Sequence, residues 1–330
     1  MENSLIDKAI LGKSGLSVSR LCYGTLALSP YHSNPSKEKA FELLNYAYSR
    51  GINFWDTAEL YDNYDLMSYA LKNIDNNKDI IISSRCYAKT YDEMSRAIDE
   101  ALSKLSIDKI SIFGLHEVYP EELKNGYFRK DAFFALIKAK EEGKISAISI
   151  TSHSVKSVEH SLLIDEIDII MPLINYKGLG ILDGTKTDML NAINNAKSKQ
   201  KGIFAMKVLG GGFYSKDVRK ALAFVLNNRN IDSIAIGMDD IEEIKFNISI
   251  FQNSITDYDI ENKLKLKNKR ISIEPWCENC GKCVKTCPQN AIYNEYGMLK
   301  ADDKKCVRCG YCIPACKYFN IKFLNQNETI

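Results

Sequence analysis

The stretch DIIISSRCYAKTYDEMSRAIDEALSKLSIDKISIFGLH, residues 79–116, decides the fold. It opens on DIIISSR (79–85), a short Ile-rich run of the kind that forms a strand buried on both faces. YDEMSRAIDEALSKL (91–105) then carries apolar residues at helical spacing, and KISIFGLH (109–116) is a second buried run. Strand, amphipathic helix and strand in that order predict a parallel βαβ unit. Outward from it the same rhythm recurs in SRLCYGT (19–25), INFWDT (52–57), ISAISIT (145–151), IDIIMPL (167–173), GIFAMKV (202–208) and DSIAIG (232–237). KEKAFELLNYAYSR (37–50) and RKDAFFALIKAKEEG (129–143) supply further amphipathic helices. Eight such units in about 250 residues predict an α/β fold, a (β/α)8 TIM barrel. A doubly wound sheet is the alternative, but no GxGxxG follows the first strand. ILGKSGLSVSR (10–20) precedes that strand and reads as a hairpin capping the barrel floor.

At 330 residues the chain is longer than this barrel requires, which leaves room for a small second domain. With 44 Lys and Arg against 42 Asp and Glu, the net charge is +2, too little basic excess for a nucleic-acid role. No apolar run has the length of a membrane span, and MENSLIDKAI lacks the zones of a signal peptide. A cytoplasmic protein with no membrane association is the expectation. KLKLKNKR (263–270) holds five basic residues and no acidic one, as an exposed connector would. The predicted division is a barrel over 1–262, a basic linker over 263–273 and a second domain over 274–330.

Eight of the ten cysteines fall in that last segment, in two runs. One is Cys277-x2-Cys280-x2-Cys283-x3-Cys287-Pro288; the other is Cys306-x2-Cys309-x2-Cys312-x3-Cys316. This spacing is the bacterial two-cluster ferredoxin pattern, in which each run gives three thiolates to one [4Fe–4S] cluster and the fourth to the other. Cluster one is then expected on Cys277, Cys280, Cys283 and Cys316, and cluster two on Cys306, Cys309, Cys312 and Cys287. Zinc favours paired knuckles separated by a longer loop, and a disulfide scaffold belongs to exported chains. A segment this short and poor in large aliphatics also needs the clusters to hold it together. Cys22 and Cys86 stand apart, and the bland reading of both is an inert buried thiol.

In a barrel enzyme, chemistry gathers at the C-terminal ends of the strands. Asp56, Arg85, His116, Thr151, Ser152 and Lys207 all stand at or near such ends, and NFWDTAELYDNY (53–64) sets Tyr61 five residues past Asp56, at the expected start of a helix. His32 and His153 read as loop residues. Together with GKSGLSVSRLCYGT (12–25), His116 and IGMDDIEEIKFNI (236–248), the DTAELY segment resembles the aldo-keto reductase family. The whole chain resembles the branch of that family with a C-terminal ferredoxin-like 2[4Fe–4S] domain.

The resemblance implies a catalytic set. Tyr61 would give or take a proton, His116 would orient the substrate oxygen, and Asp56 would support them. Where the family has a lysine, this chain has Arg85, which keeps the charge in a bulkier, bidentate form. Where the family binds the nicotinamide amide through Ser-Asn and Gln, this chain has Thr151-Ser152 and Met171. Gly237 and Asn247 match the adenosine-side motif. Asp239-Asp240 beside them favours NADH over NADPH. Lys207 and the Gly210-Gly211-Gly212 loop are a phosphate site or a plain flexible turn. The implied function is an iron–sulfur oxidoreductase that reduces a carbonyl, or oxidises an alcohol, with NAD(P)H and/or electrons from the two clusters. Its partners are a small-molecule substrate and a redox protein. The alternative is an electron-transfer subunit whose barrel binds no nicotinamide.

Overall fold

A computed structural model describes residues 5–254, 264 and 269–325 of the chain. The first two strands, β1 (Lys8–Ile10) and β2 (Ser17–Ser19), form the antiparallel hairpin expected before the barrel. Its turn meets the strand at 202–205 from below, where Lys13 N donates to Gln200 O.

The eight expected strands are all present. β3 (Leu21–Gly24), β4 (Phe54–Asp56), β5 (Ile81–Cys86) and β6 (Ile110–Leu115) are each paired in parallel with the next. A small hairpin, β7 (Leu123–Lys124) with β8 (Tyr127–Phe128), decorates the loop after β6. β9 (Ile145–Ser152), β10 (Ile169–Pro172), β11 (Gly202–Ala205) and β12 (Ser233–Ile236) then close the barrel back onto β3. The outer ring is α1 (Lys37–Ser49), α2 (Tyr64–Asn73), α3 (Tyr91–Leu105), α4 (Lys130–Glu141), α5 (Val155–Ser161), α6 (Lys186–Ser198), α7 (Val218–Leu226) and α8 (Ile241–Phe251).

The deciding stretch folds as its pattern requires. α3 begins on a capping box in which Thr90 and Glu93 satisfy each other's backbone N–H, and it stops at Ser106 in the left-handed region. Its Met94, Ala97, Ile98, Ala101 and Leu105 are the buried face.

The cysteine-rich segment forms a compact lobe. β13 (Lys269–Ile273) pairs antiparallel with the last strand, Ile321–Asn325, and encloses a hairpin of β14 (Ile292–Glu295) and β15 (Met298–Ala301). The last strand is β16. Two short helices, α9 (Lys282–Thr286) and α10 (Cys312–Ala315), lie within the two cysteine runs. The runs repeat one another in backbone as well as spacing: Asn279 and Arg308, Gly281 and Gly310, and Asn290 and Phe319 have positive φ at matching places.

The expected linker needs one correction. Residues 269–273 are a ladder-paired strand of the lobe, because Ile271 is buried against its core and its N–H donates to Asp303 Oδ1. Residues 255–262, and 263 and 265–268 of the linker, lie outside the described residues.

The lobe sits on the C-terminal mouth of the barrel. The barrel interior, including Phe54, Ile112, Phe204 and Leu173, runs without a break into Phe319, Ile321 and Phe323 of the lobe. The Gly210–Gly212 loop after β11 is the seat. A Cβ on Gly212 would stand 2.2 Å from Phe323 O, and one on Gly211 would stand 3.0 Å from the Phe319 ring. Both glycines have positive φ. Tyr31 meets Trp276 edge-on, and Asn325 Nδ2 donates to Asp239 Oδ1 and Glu243 Oε1, both at 2.7 Å.

Candidate functional site

Arg85, Asp56 and Tyr61 form one buried unit at the barrel mouth. Asp56 ends β4 and Arg85 lies near the end of β5, so the parallel register sets the two side chains together. Arg85 grips the carboxylate with both arms, Nη1 to Oδ1 at 2.5 Å and Nη2 to Oδ2 at 3.0 Å. Nη2 also donates to the Tyr61 hydroxyl at 2.9 Å. Tyr61 is not at a helix start, as the sequence suggests, but in a 3-10 turn (Glu59–Tyr61) that precedes α2. The turn ends at Asp62 in the left-handed region and aims the phenol back over the strand ends.

A lysine could not reproduce this arrangement, since one ammonium has no planar fork with which to span a carboxylate. The electrostatics follow from burial. Tyr61 is only 8% exposed, and desolvation raises its pKa despite the opposing charge of Arg85. The phenol is therefore protonated at neutral pH and available as an acid. Arg85 is raised as well, because Asp56 and Tyr61 outweigh its own burial.

His116 follows β6. Its ring stacks on Tyr87 at 4.4 Å and meets Tyr61 edge-on at 6.0 Å. Nδ1 is buried with no hydrogen-bond partner. Burial, then the charge of Arg85, holds its pKa well below the ordinary histidine value, so the imidazole is neutral. A neutral ring can donate to an oxygen without carrying charge into the site.

A cavity of about 490 Å³ opens beside this unit. Asp56, Tyr61, Arg85, Met171 and Lys207 line one part, and Gly237, Asn247, Lys216, Arg219 and Lys220 line another. Lys322 and Phe323 of the lobe close its wall. His116 is not among the lining residues.

Thr151 and Ser152, the implied amide-binding hydroxyls, do not face the cavity. Thr151 Oγ1 accepts from Glu117 N at 2.8 Å, and Ser152 Oγ donates to Val118 O at 2.7 Å. The loop after β6 has taken both. Asp240 caps α8 by accepting from Glu242 N, and Asp239 is held by Asn325. Of the implied adenosine-side groups, Gly237 and Asn247 line the cavity, and Asn247 Oδ1 has no partner among the described residues. Gly210 is buried behind Gly211 and Gly212, which seat the lobe.

The structure adds residues that the sequence reading passed over. Glu117 has positive φ, meets His153 Nε2 at 3.3 Å and is pushed up to about 7 by burial. Glu274 of the lobe meets His32 Nε2 at 3.0 Å and Lys322 Nζ at 3.5 Å. Both histidines, expected in loops as bystanders, thus contact carboxylates at the mouth. Cys22 and Cys86 are buried, and burial raises both thiols, as the inert reading expects.

Cys277 and Cys283 lie near the sulfur of Cys316, and Cys306 and Cys312 near that of Cys287, with Cys312 also near Cys283. Cys287, Cys306, Cys309 and Cys312 line one small cavity with Ile271 and Phe323. Among the described residues no three of these or other ligating groups converge to hold a single ion. The N–H groups of Ala291 and Asn320, at matching places in the two runs, donate to Cys287 and Cys316 Sγ at 3.3 and 3.2 Å. An all-thiol donor set with N–H···S bonds fits cubane iron–sulfur clusters.

Residues 20–221 match the model of the aldo/keto reductase family. The chain belongs to that family. Residues 270–318 of this aldo/keto reductase match a 4Fe-4S dicluster domain, so a reductase barrel is fused to an iron–sulfur module. It is 24% identical to L-galactose dehydrogenase of Arabidopsis thaliana over 74% of this chain and 88% of that one. Its lobe is 42% identical, over 55 residues, to the thiosulfate reductase electron transfer subunit PhsB of Salmonella typhi. That match spans 16% of this chain and 28% of the subunit. The holo form of an aldo-keto reductase from Bacillus halodurans superposes with a TM-score of 0.64 at 18% identity, over 79% of this reductase and 95% of its own chain. The family identifies an oxidoreductase. No helix among the described residues is long and apolar enough to cross a membrane.

Proposed function

We propose that the protein reduces a carbonyl compound, or oxidises the corresponding alcohol, in the barrel cavity, and that the two clusters of the lobe feed the same site. The observation that carries this reading is Phe323, which lines both the cavity beside Tyr61 and Arg85 and the cavity of the cluster-two thiols. When bound, a nicotinamide supplies a hydride and [4Fe–4S] clusters supply single electrons.

The chain's own residues supply the rest. Tyr61 holds a proton at its hydroxyl oxygen, facing the cavity, and gives it to the substrate oxygen as that oxygen gains charge. Arg85 fixes the phenol and, anchored by both oxygens of Asp56, stabilises the phenolate left behind. Neutral His116, with its unpartnered Nδ1, buttresses Tyr61 through the ring contact. In the outer cavity, Lys216, Arg219, Lys220 and the unpartnered Asn247 Oδ1 fit a phosphorylated nucleotide.

Titration of the anaerobically reconstituted protein with NADH and NADPH is the direct test. NADH is expected to bind at least about tenfold more tightly, because Asp239 and Glu243 oppose a 2′-phosphate. Binding of neither would favour the electron-transfer subunit reading, for which the spent hydroxyls of Thr151 and Ser152 speak.

The grouping of the thiols gives a second expected result. Cys287→Ser should disturb the cluster held by Cys306, Cys309 and Cys312, although Cys287 belongs to the other run. Iron should fall from about eight toward about four per chain. Loss confined to the Cys277, Cys280 and Cys283 cluster would overturn the crossed assignment.

A further inference from the structure

Lys207 lies two residues past β11, after Met206, and has no part in the reduction proposed above. Its φ is +58°, a backbone state that side chains rarely adopt and that persists where the surroundings impose it. The side chain lines the same cavity as Tyr61 and Arg85.

Its neighbours are arranged unusually for a cation. Lys207 Nζ and Lys322 Nζ stand 5.8 and 5.5 Å from the centroid of one ring, Phe319. Glu274 is the carboxylate between the lobe and the barrel here, and Lys322 and His32 occupy it. Lys207 makes no ion pair among the described residues. With two lysine nitrogens on one ring, Glu274 engaged by Lys322 and His32, and Glu117 engaged by His153, Lys207 has no carboxylate of its own among the described residues.

We propose that Lys207 is a carbonyl-capturing amine, which condenses with small aldehydes or ketones in the barrel cavity to form an imine. The nitrogen lone pair attacks the carbonyl carbon, a C–N bond replaces the C–O bond, and the oxygen leaves as water with the two amine hydrogens. No oxidant or reductant is needed. Burial, and then the charge of Lys322, keep Lys207 well below the ordinary lysine range, which populates the neutral amine. Glu274 and Glu117 pull the other way. His116 and His153 sense its charge in turn, and both are themselves held neutral by burial. The inference goes beyond the redox reading and stands without a nicotinamide.

The anaerobic holoprotein is incubated with hydroxyacetone and sodium cyanoborohydride at neutral pH, then digested and mapped by mass spectrometry. One adduct per chain is expected, on Lys207, formed at least about tenfold faster than on any other lysine. Lys207→Arg should remove it while the lobe keeps its iron. Lys322→Met should slow labelling of Lys207 about tenfold or more, with recovery as pH is raised, since one pKa unit is a factor of ten. Tyr61→Phe should still form the adduct, so loss of carbonyl reduction and loss of imine formation are read separately. Labelling spread evenly over surface lysines, or a Lys322→Met rate equal to that of the wild type, would overturn the proposal.

Discussion

Tyr61→Phe should lower kcat for carbonyl reduction by about 10²–10⁴-fold and leave KM and the cluster absorbance nearly unchanged. The substitution removes one oxygen and no volume that packing depends on. Arg85 keeps both bonds to Asp56 and loses only its third. The pH profile adds a sign. Because burial raises the phenol above its ordinary value, the acid form persists across the neutral range. Reduction should therefore show no alkaline fall near neutrality that belongs to Tyr61. Steady-state kinetics of purified wild type and variant check both points. A variant within threefold of wild type would remove the tyrosine from the chemistry and leave the barrel as a scaffold.

The second large effect concerns the joint between lobe and barrel. Glu274 is almost fully buried and is the anion shared by His32 and Lys322. Burial alone would push its carboxyl up, but Lys322 and the hydrogen bond with His32 outweigh it and hold it at about 2. Glu274→Gln leaves Lys322 buried without its partner, a loss of about 3–5 kcal/mol when one side of such a pair is removed. The lobe should then loosen, exposing β13 and β16 to hydrogen exchange. The pH dependence has a definite direction. A folded-state pKa below the unfolded one stabilises above the ordinary glutamate value and loses that contribution as pH falls toward 2. The wild type and variant should thus differ most at neutral pH and converge as pH drops below about 4.5. Equal protection at pH 7 would show that Glu274 does not anchor the lobe.

Much of the fold was legible because it rests on periodicities. Buried Ile-rich runs and amphipathic helices define the eight barrel strands, and spacing alone identifies the two cysteine runs. The Asp56 and Arg85 pair was legible because strand ends converge in a parallel barrel, and Tyr61 through the resemblance of the DTAELY segment to the aldo-keto reductase family. The exceptions are instructive. Thr151 and Ser152 hold suitable hydroxyls, but the turn at Glu117, in the left-handed region, delivers backbone groups that consume them. No local pattern announces that turn. The three glycines after β11 have a composition that suits phosphate or flexibility, and their role in seating the lobe depends on Phe319 and Phe323, more than a hundred residues away. Glu274, Lys322 and His32 are single polar residues with no motif, and their meaning exists only once two domains are docked. Sequence patterns report what an element does for itself and are silent on what a distant element does to it.

The bare glycine seat has a last consequence. A module pressed this closely onto its host cannot travel, so the lobe works as fixed wiring and not as a swinging carrier. Electrons from outside would enter where the lobe's thiols meet solvent, at the exposed Cys280 and Cys309, while Phe319, Ile321 and Phe323 stay packed against the barrel.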